Sequence, residues 1–187
     1  MKNYVIIILC CISFNGFAQI RNSYPAIPLK KIVDSLKIDS NAIQIKITKS
    51  TYLLQVIANG KVLKTYPCVF GFGYPEDKLQ KGDGTTPEGK FLVWAFYPDA
   101  AWGMFVSLNF PNAASLKKIA EAKKNKLIPQ DAKTGGSIGI HGTNPGCESS
   151  IDTKNNWTYG CISVKTADIK DICKVLKRYG NVVEIVK

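Results

Sequence analysis

Histidine is nearly missing from this 187-residue chain, which holds one, His141. Any proton transfer that needs an imidazole falls to that residue. Long apolar runs are missing too: the longest, Val5 to Ile12, is well short of the ~20 residues a membrane-spanning helix requires. No G-x-S-x-G elbow is present, which removes the usual serine-hydrolase arrangement. No C-x-x-C pair is present either, and the intervals among His141, Cys147, Cys161 and Cys173 fit no common zinc module, so no metal is implied. Arginine-aromatic interleaving and nucleic-acid motifs are absent, so nucleic acid is not an expected partner. There is no internal repeat and no low-complexity tract.

Hydrophobic residues make up 45% of the chain, enough for one well-cored domain. At the start, Lys2, the apolar run to Ile12 and then Gly16-Phe17-Ala18 have the layout of a secretory signal with cleavage after Ala18. Residues 1–18 are read as that signal, which predicts a periplasmic or cell-envelope location. Removing them takes one lysine and lowers the formal charge from +11 to +10, a balance that favours anionic envelope polymers. The exported chain retains Cys68, Cys147, Cys161 and Cys173, and a disulfide between two of Cys68, Cys147 and Cys173 is expected.

Residues 19–41 carry Leu29, Ile32, Val33 and Leu36 on one helical face and read as a packed lead-in segment. Residues 42–187 read as one domain. Ile43, Ile45 and Ile47 alternate with polar residues, Tyr52 to Ala58 continues the β pattern, and Asn59-Gly60 signals a hairpin to a return strand over Lys61 to Gly71. Gly82-Asp83-Gly84 marks a loop. Phe91 to Phe96 and Met104 to Phe110 are strands too apolar for solvent-facing edges. Asn112 caps an expected helix with Leu116, Ile119, Ala120 and Leu127 as its apolar stripe, beside Lys117, Lys118, Lys123, Lys124 and Lys126. Thr166 is expected to cap a last helix, with Asp168 in its first turn and Ile169, Ile172, Cys173, Leu176 and Tyr179 on one face. Asn181 to Val186 closes the chain as a strand. The pattern predicts a mainly β, α+β fold: a β-sandwich of mixed sheets, mostly in sequence-local hairpins, with one or two appended helices.

The chemistry concentrates in two segments. His141 ends the run Ile138-Gly139-Ile140-His141-Gly142, and twenty residues on stands Thr158-Tyr159-Gly160-Cys161-Ile162-Ser163. A thiol becomes a strong nucleophile near neutral pH when an imidazole takes its proton, so Cys161 and His141 are a candidate catalytic pair. Gly142 and Gly160 permit close approach of backbone or substrate. The N–H of Gly160 or Cys161 is a candidate oxyanion donor. Papain-like and caspase-like surroundings are missing at Cys161, so the residues alone reach a thiol acting on a carbonyl and stop there.

Four ordered segments resemble the L,D-transpeptidase catalytic domain of bacterial cell-wall enzymes: Tyr66-Pro67-Cys68-Val69 with Gly71, Thr86-Pro87-Glu88-Gly89-Lys90-Phe91, His141-Gly142, and Thr158-Tyr159-Gly160-Cys161. The resemblance covers roughly residues 43–165. It implies Cys161 and His141 on adjacent strands in a cleft, with the Gly142 carbonyl orienting the imidazole. It also implies attack by Cys161 on a peptidoglycan stem peptide and a thioester intermediate, with no metal or organic cofactor. The acceptor then decides between cross-linking, protein attachment and trimming, and the implied partners are stem peptides and a wall-linked lipoprotein, acted on by a monomer. Thr158, Tyr159 and Ser163 are the expected substrate contacts. The chain departs from the family where Tyr159 replaces a histidine and Ser163 replaces an arginine or asparagine, which leaves the usual anchor for the stem carboxylate without a counterpart. The interval from His141 to Cys161 is also long, and includes Cys147. Leu108-Asn109-Phe110-Pro111-Asn112 and the Gly-Cys-Ile-Ser end look closer to the branch that includes murein-lipoprotein cleaving enzymes, for which hydrolysis, as an L,D-carboxypeptidase or in release of a wall-linked protein, is the rival outcome. A catalytically silent peptidoglycan-binding module that keeps the cleft and basic surface is the other alternative.

Overall fold

A computed structural model describes residues 27–187. The expected signal segment and the first part of the lead-in lie outside the described residues. Eight strands form one mixed sheet: β1 (Ile43–Thr48), β2 (Leu53–Ala58), β3 (Lys61–Pro67), β4 (Gly89–Asp99), β5 (Gly103–Leu108), β6 (Gly139–His141), β7 (Ile162–Ser163) and β8 (Val182–Val186). Their order across the sheet is β3-β2-β1-β8-β4-β5-β6-β7. Four helices are attached: α1 (Leu29–Ser35), α2 (Ala113–Lys124), α3 (Ser149–Asp152) and α4 (Thr166–Cys173).

The first hairpin follows directly from its residues. Ile43, Ile45 and Ile47 are all but fully buried, each contributing about 1.5–3 kcal/mol by leaving water. Ala58 pairs with Lys61 across a two-residue loop in which Asn59 and Gly60 both take positive φ, the turn geometry that matches strand twist.

Local hairpins do not account for the rest. The last strand inserts between β1, to which it is parallel, and β4, to which it is antiparallel, with Val183 paired to both Ile45 and Phe91. β4 joins the two halves of the sheet: Gly89 to Leu92 pair with β8, and Val93 to Asp99 pair with β5, with a register shift between Val93 and Ala95. The sheet bends there, as a bulge requires. β4 and β5 are interior strands, as their apolar character predicts, although the outer face of β4 exposes Leu92, Trp94 and Tyr97. Beyond β3, Val69 and Ser163 exchange two backbone hydrogen bonds of 2.9 Å, so the chain after one end of the sheet pairs with the strand at the other. The result is a curled mixed half-barrel around one core.

The described part of the lead-in segment packs through only two of the four residues expected on its apolar face. Leu29 and Val33 enter the core while Leu36 is exposed, and the Leu29 N–H donates to both carboxylate oxygens of Asp171 at 3.0 and 3.1 Å. Three expectations are corrected. In α2 the buried side chains are Ser115, Ile119 and Ala122, one helical face at i, i+4, i+7, whereas Leu116 and Ala120 are exposed and Leu127 lies beyond the helix end. In α4 the N-cap is Lys165, with no side-chain cap: Thr166 is the first helical residue and its hydroxyl donates to the Thr143 carbonyl at 3.1 Å, while Tyr179 lies past the helix and is exposed. The four cysteines from Cys68 onward are unpaired, because packing places Cys68 in the core, Cys147 on an exposed loop and Cys173 half-buried at the end of α4. Burial pushes the Cys173 thiol up to about 12, which disfavours its thiolate near neutral pH.

Candidate active site

β6 and β7 run parallel, with Ile140 opposite Ile162 and His141 opposite Ser163. Cys161 immediately precedes β7. Because alternate residues share a face, Cys161 and Ser163 lie on the same side as Gly139 and His141, which makes the thiol and the imidazole diagonal neighbours across one strand pair. The motifs that resemble the family build the turn that carries Cys161. Gly160 sits at φ +130°, and a Cβ there would lie 2.5 Å from the Thr85 carbonyl oxygen. A Cβ on Gly71 would strike the Gly84 carbonyl oxygen at 2.0 Å and approach the Gly160 Cα at 3.0 Å, so three glycines meet behind the nucleophile turn. The Gly71 N–H donates to Thr86 Oγ1 at 3.0 Å, tying the threonine-proline segment to the same junction.

His141 is 2% exposed and sits in an aromatic box. Trp102 stacks on the ring at 4.3 Å between centroids, Phe105 lies parallel at 6.0 Å, and Trp157 meets it edge-on at 5.6 Å. Asp99 holds the Trp102 turn by accepting the N–H groups of Ala101 and Trp102, both at 2.9 Å. Nδ1 of His141 lies 2.7 Å from the Gly142 carbonyl, so Nδ1 carries the hydrogen and Nε2 keeps its lone pair. Gly142 has to be glycine, since a Cβ would come 2.3 Å from the Trp102 carbonyl oxygen. Burial holds the imidazole below the ordinary histidine range, with the Gly142 carbonyl and Asp99 offsetting part of the effect. Burial pushes the Cys161 thiol up, opposed by the Gly139 N–H and by the positive charge of Lys78. The resting pair is therefore a neutral thiol and a neutral imidazole, with the Cys161 Sγ donating to the Ser137 carbonyl at 3.4 Å.

Of the three expected substrate contacts, Tyr159 is 78% exposed and packs edge-on against Phe72. The other two are engaged internally. Thr158 Oγ1 donates to the Cys161 carbonyl at 2.7 Å and accepts the Gly160 N–H at 3.2 Å, which leaves the Cys161 N–H as the better oxyanion donor of the two expected. Ser163 is fully buried and its Oγ donates to the Gly142 carbonyl at 3.3 Å, the same oxygen that orients His141. Trp102 and Trp157 escaped the sequence reading, although the chain has only three tryptophans and two of them flank its one histidine.

A cleft of about 640 Å³ opens next to the turn that carries Cys161, lined by Ser137, Tyr159, Lys78, Lys81 and Lys133 but by neither Cys161 nor His141, so it meets the thiol only through Ser137, whose carbonyl accepts from Sγ. Lys78 is buried and pairs with Asp83 at 2.6 Å. Burial raises the Asp83 carboxyl, but Lys78 and the N–H groups of Gln80, Thr85 and Leu79 outweigh it and hold the group below the usual range. The Lys-rich helix α2 contributes nothing to this lining. Its Lys118 instead pairs with Asp77 and donates to the Glu88 carbonyl at 3.0 Å. Among the described residues, no three of His, Cys, Asp and Glu cluster as metal ligands, and no helix is long and apolar enough to cross a membrane.

A thiol and an imidazole on one face of the neighbouring β6-β7 segments of a curled mixed sheet define a thiol-imidazole protein of half-barrel architecture. Residues 42–185 match the L,D-transpeptidase catalytic domain, and the chain belongs to that family. The family acts on peptidoglycan stem peptides in the cell envelope. Among solved structures, Bd1075 of Bdellovibrio bacteriovorus aligns at 20% identity with a TM-score of 0.56, over 77% of this chain and 47% of that one. The helical cell shape determining protein Pgp2 of Campylobacter jejuni aligns at 18% identity and 0.56, over 84% and 54%. The L,D-transpeptidase (residues 123–326) of Xylanimonas cellulosilytica aligns at 18% and 0.50, over 77% and 60%. The chain thus spans about half to three-fifths of these proteins, and the likeness is one of fold. No curated protein sequence matches it significantly.

Proposed function

We propose that this chain is an exported cysteine acyl-transferase of peptidoglycan stem peptides. Cys161 Sγ attacks the carbonyl of the L-centre at the third stem position. His141 Nε2 takes the thiol proton and returns it to the amine of the departing D-residue, which leaves a thioester on Cys161. An acceptor amine, or water, then attacks the thioester and regenerates the thiol. The Cys161 N–H faces the oxygen on which charge develops. Gly142 and Ser163 position the imidazole, and Tyr159 lines the path of the peptide.

The observation that carries this reading is the 2.7 Å contact between His141 Nδ1 and the Gly142 carbonyl, which reserves Nε2 for the thiol on the same sheet face. The test incubates the protein with purified tetrapeptide-bearing peptidoglycan and follows products and intact protein by mass spectrometry. Release of the terminal D-residue with an acyl adduct on Cys161 is expected. Cross-linked products mean transfer and tripeptides mean hydrolysis. A wild-type protein that yields neither adduct nor released residue overturns the assignment.

A further inference from the structure

The cleft beside Cys161 has a one-sided charge. Three of its lining residues are lysines and none is a carboxylate. Lys78 is neutralised by Asp83, but among the described residues Lys81 and Lys133 have no acidic partner within 4 Å, and both are exposed. They come from loops some fifty residues apart, held together by a hydrogen bond of 2.6 Å from the Lys81 N–H to the Lys133 carbonyl. Gly135, at φ +79°, turns the second loop against the first, with the Lys81 Cα and Lys78 Cε at van der Waals distance from its Cβ position, 3.4 and 3.5 Å. The two free ammonium groups therefore spring from adjacent points on a fixed base. Ser137 and Tyr159 connect that base to the thiol, since the Ser137 carbonyl accepts the Sγ hydrogen and Tyr159 stands two residues before Cys161.

We infer that Lys81 and Lys133 form an anion subsite that selects acyl donors with a free carboxylate close to the bond Cys161 cleaves. This deepens the peptidoglycan reading above and rests on it. An uncompensated pair of cations beside a partly enclosed cleft favours an anionic partner, and on a peptide substrate the anion available is a carboxylate, terminal or on a side chain. Ser163, which the sequence offered as a substrate contact, is sealed under the Gly142 carbonyl and has no access to substrate.

The subsite is tested by binding, which needs no turnover. Calorimetry on the Cys161→Ala protein compares a stem tetrapeptide having both carboxylates free with versions amidated at the C-terminus or at the side chain. Amidation of the recognised carboxylate is expected to weaken binding about tenfold, and the position that does so identifies which carboxylate is read. Lys81→Gln with Lys133→Gln is expected to weaken the free acid by a similar factor, to leave the corresponding amide unchanged, and to be restored by arginine at both positions. In the otherwise wild-type protein the same pair raises KM with little change in kcat, and alkylation of Cys161 by neutral iodoacetamide proceeds at the unaltered rate. Equal binding of acid and amides, or equal loss for both in the double variant, overturns the subsite. If the subsite stands but no acyl adduct forms on Cys161, the functional reading fails and the anion site survives it.

Discussion

Two regions of this molecule treat buried polar atoms in opposite ways. Around β1 and β3, buried charge is fully met: Lys49, completely enclosed, donates to the Pro75 and Glu76 carbonyls and to Glu88 at 2.7, 2.9 and 2.8 Å. Asp171 likewise accepts from Lys64, Tyr66 and the Leu29 N–H. Around β6 and β7, four buried side-chain atoms of the described residues have no partner within the protein: Thr85 Oγ1, Trp102 Nε1, Thr143 Oγ1 and Trp157 Nε1. Two of these belong to rings that touch His141, one is two residues beyond it, and the fourth belongs to the residue whose carbonyl abuts Gly160. Native interiors leave few such atoms unmet. Their clustering separates the half of the sheet built for stability from the half that holds the candidate chemistry.

That contrast can be broken most severely at the thiol. Cys161→Ala is expected to abolish stem-peptide turnover while changing the free energy of unfolding by no more than ~1 kcal/mol, because the residue is half-buried and acts through sulfur. Retained turnover removes Cys161 as nucleophile. His141→Ala is expected to lower the acylation rate by about 10²–10⁴-fold at neutral pH. Burial lowers the imidazole, so in the wild type the base stays neutral and competent below the usual histidine pKa of 6.5 and is lost only as pH falls further. Burial raises the thiol above its ordinary 9.0, so the variant recovers only at pH above that value. A pH-rate profile of both proteins checks the two limbs.

In the other half the response is loss of stability with chemistry intact. Lys49→Met leaves Glu88 and two carbonyls without their donor and is expected to cost about 3 kcal/mol by denaturant unfolding, with alkylation of Cys161 unchanged. By contrast, Trp157→Phe deletes an N–H that makes no bond within the protein, so the loss of stability is expected to be only the packing of the removed ring atoms, about 1 kcal/mol, even though the ring borders the histidine. A loss of 2 kcal/mol there erases the contrast. The smallest effect is expected on α2: Lys117→Glu with Lys123→Glu and Lys124→Glu leaves peptide turnover unaltered, since the helix does not line the cleft, and binding to intact sacculi in low salt reports whether its charge is more than a solvated face.

The alternation at Ile43, Ile45 and Ile47, the Asn59-Gly60 turn, the one histidine and the glycine-flanked Cys161 were enough to determine a β-rich domain and to single out its candidate pair. Each is a local signal, set by side-chain period, by φ or by the rarity of imidazole. Tertiary structure decided the remainder. It placed β8 between β1 and β4, against the expectation of local hairpins, because parallel pairing joins residues more than a hundred positions apart and leaves no trace in short-range pattern. It enclosed the imidazole between Trp102 and Trp157, and it turned Thr158 and Ser163 inward. The basic wall of the cleft came from Lys78 and Lys81 in one loop and Lys133 in another, and not from the lysine-rich helix, because a charge's neighbours depend on where the backbone returns, and only the folded sheet sets that.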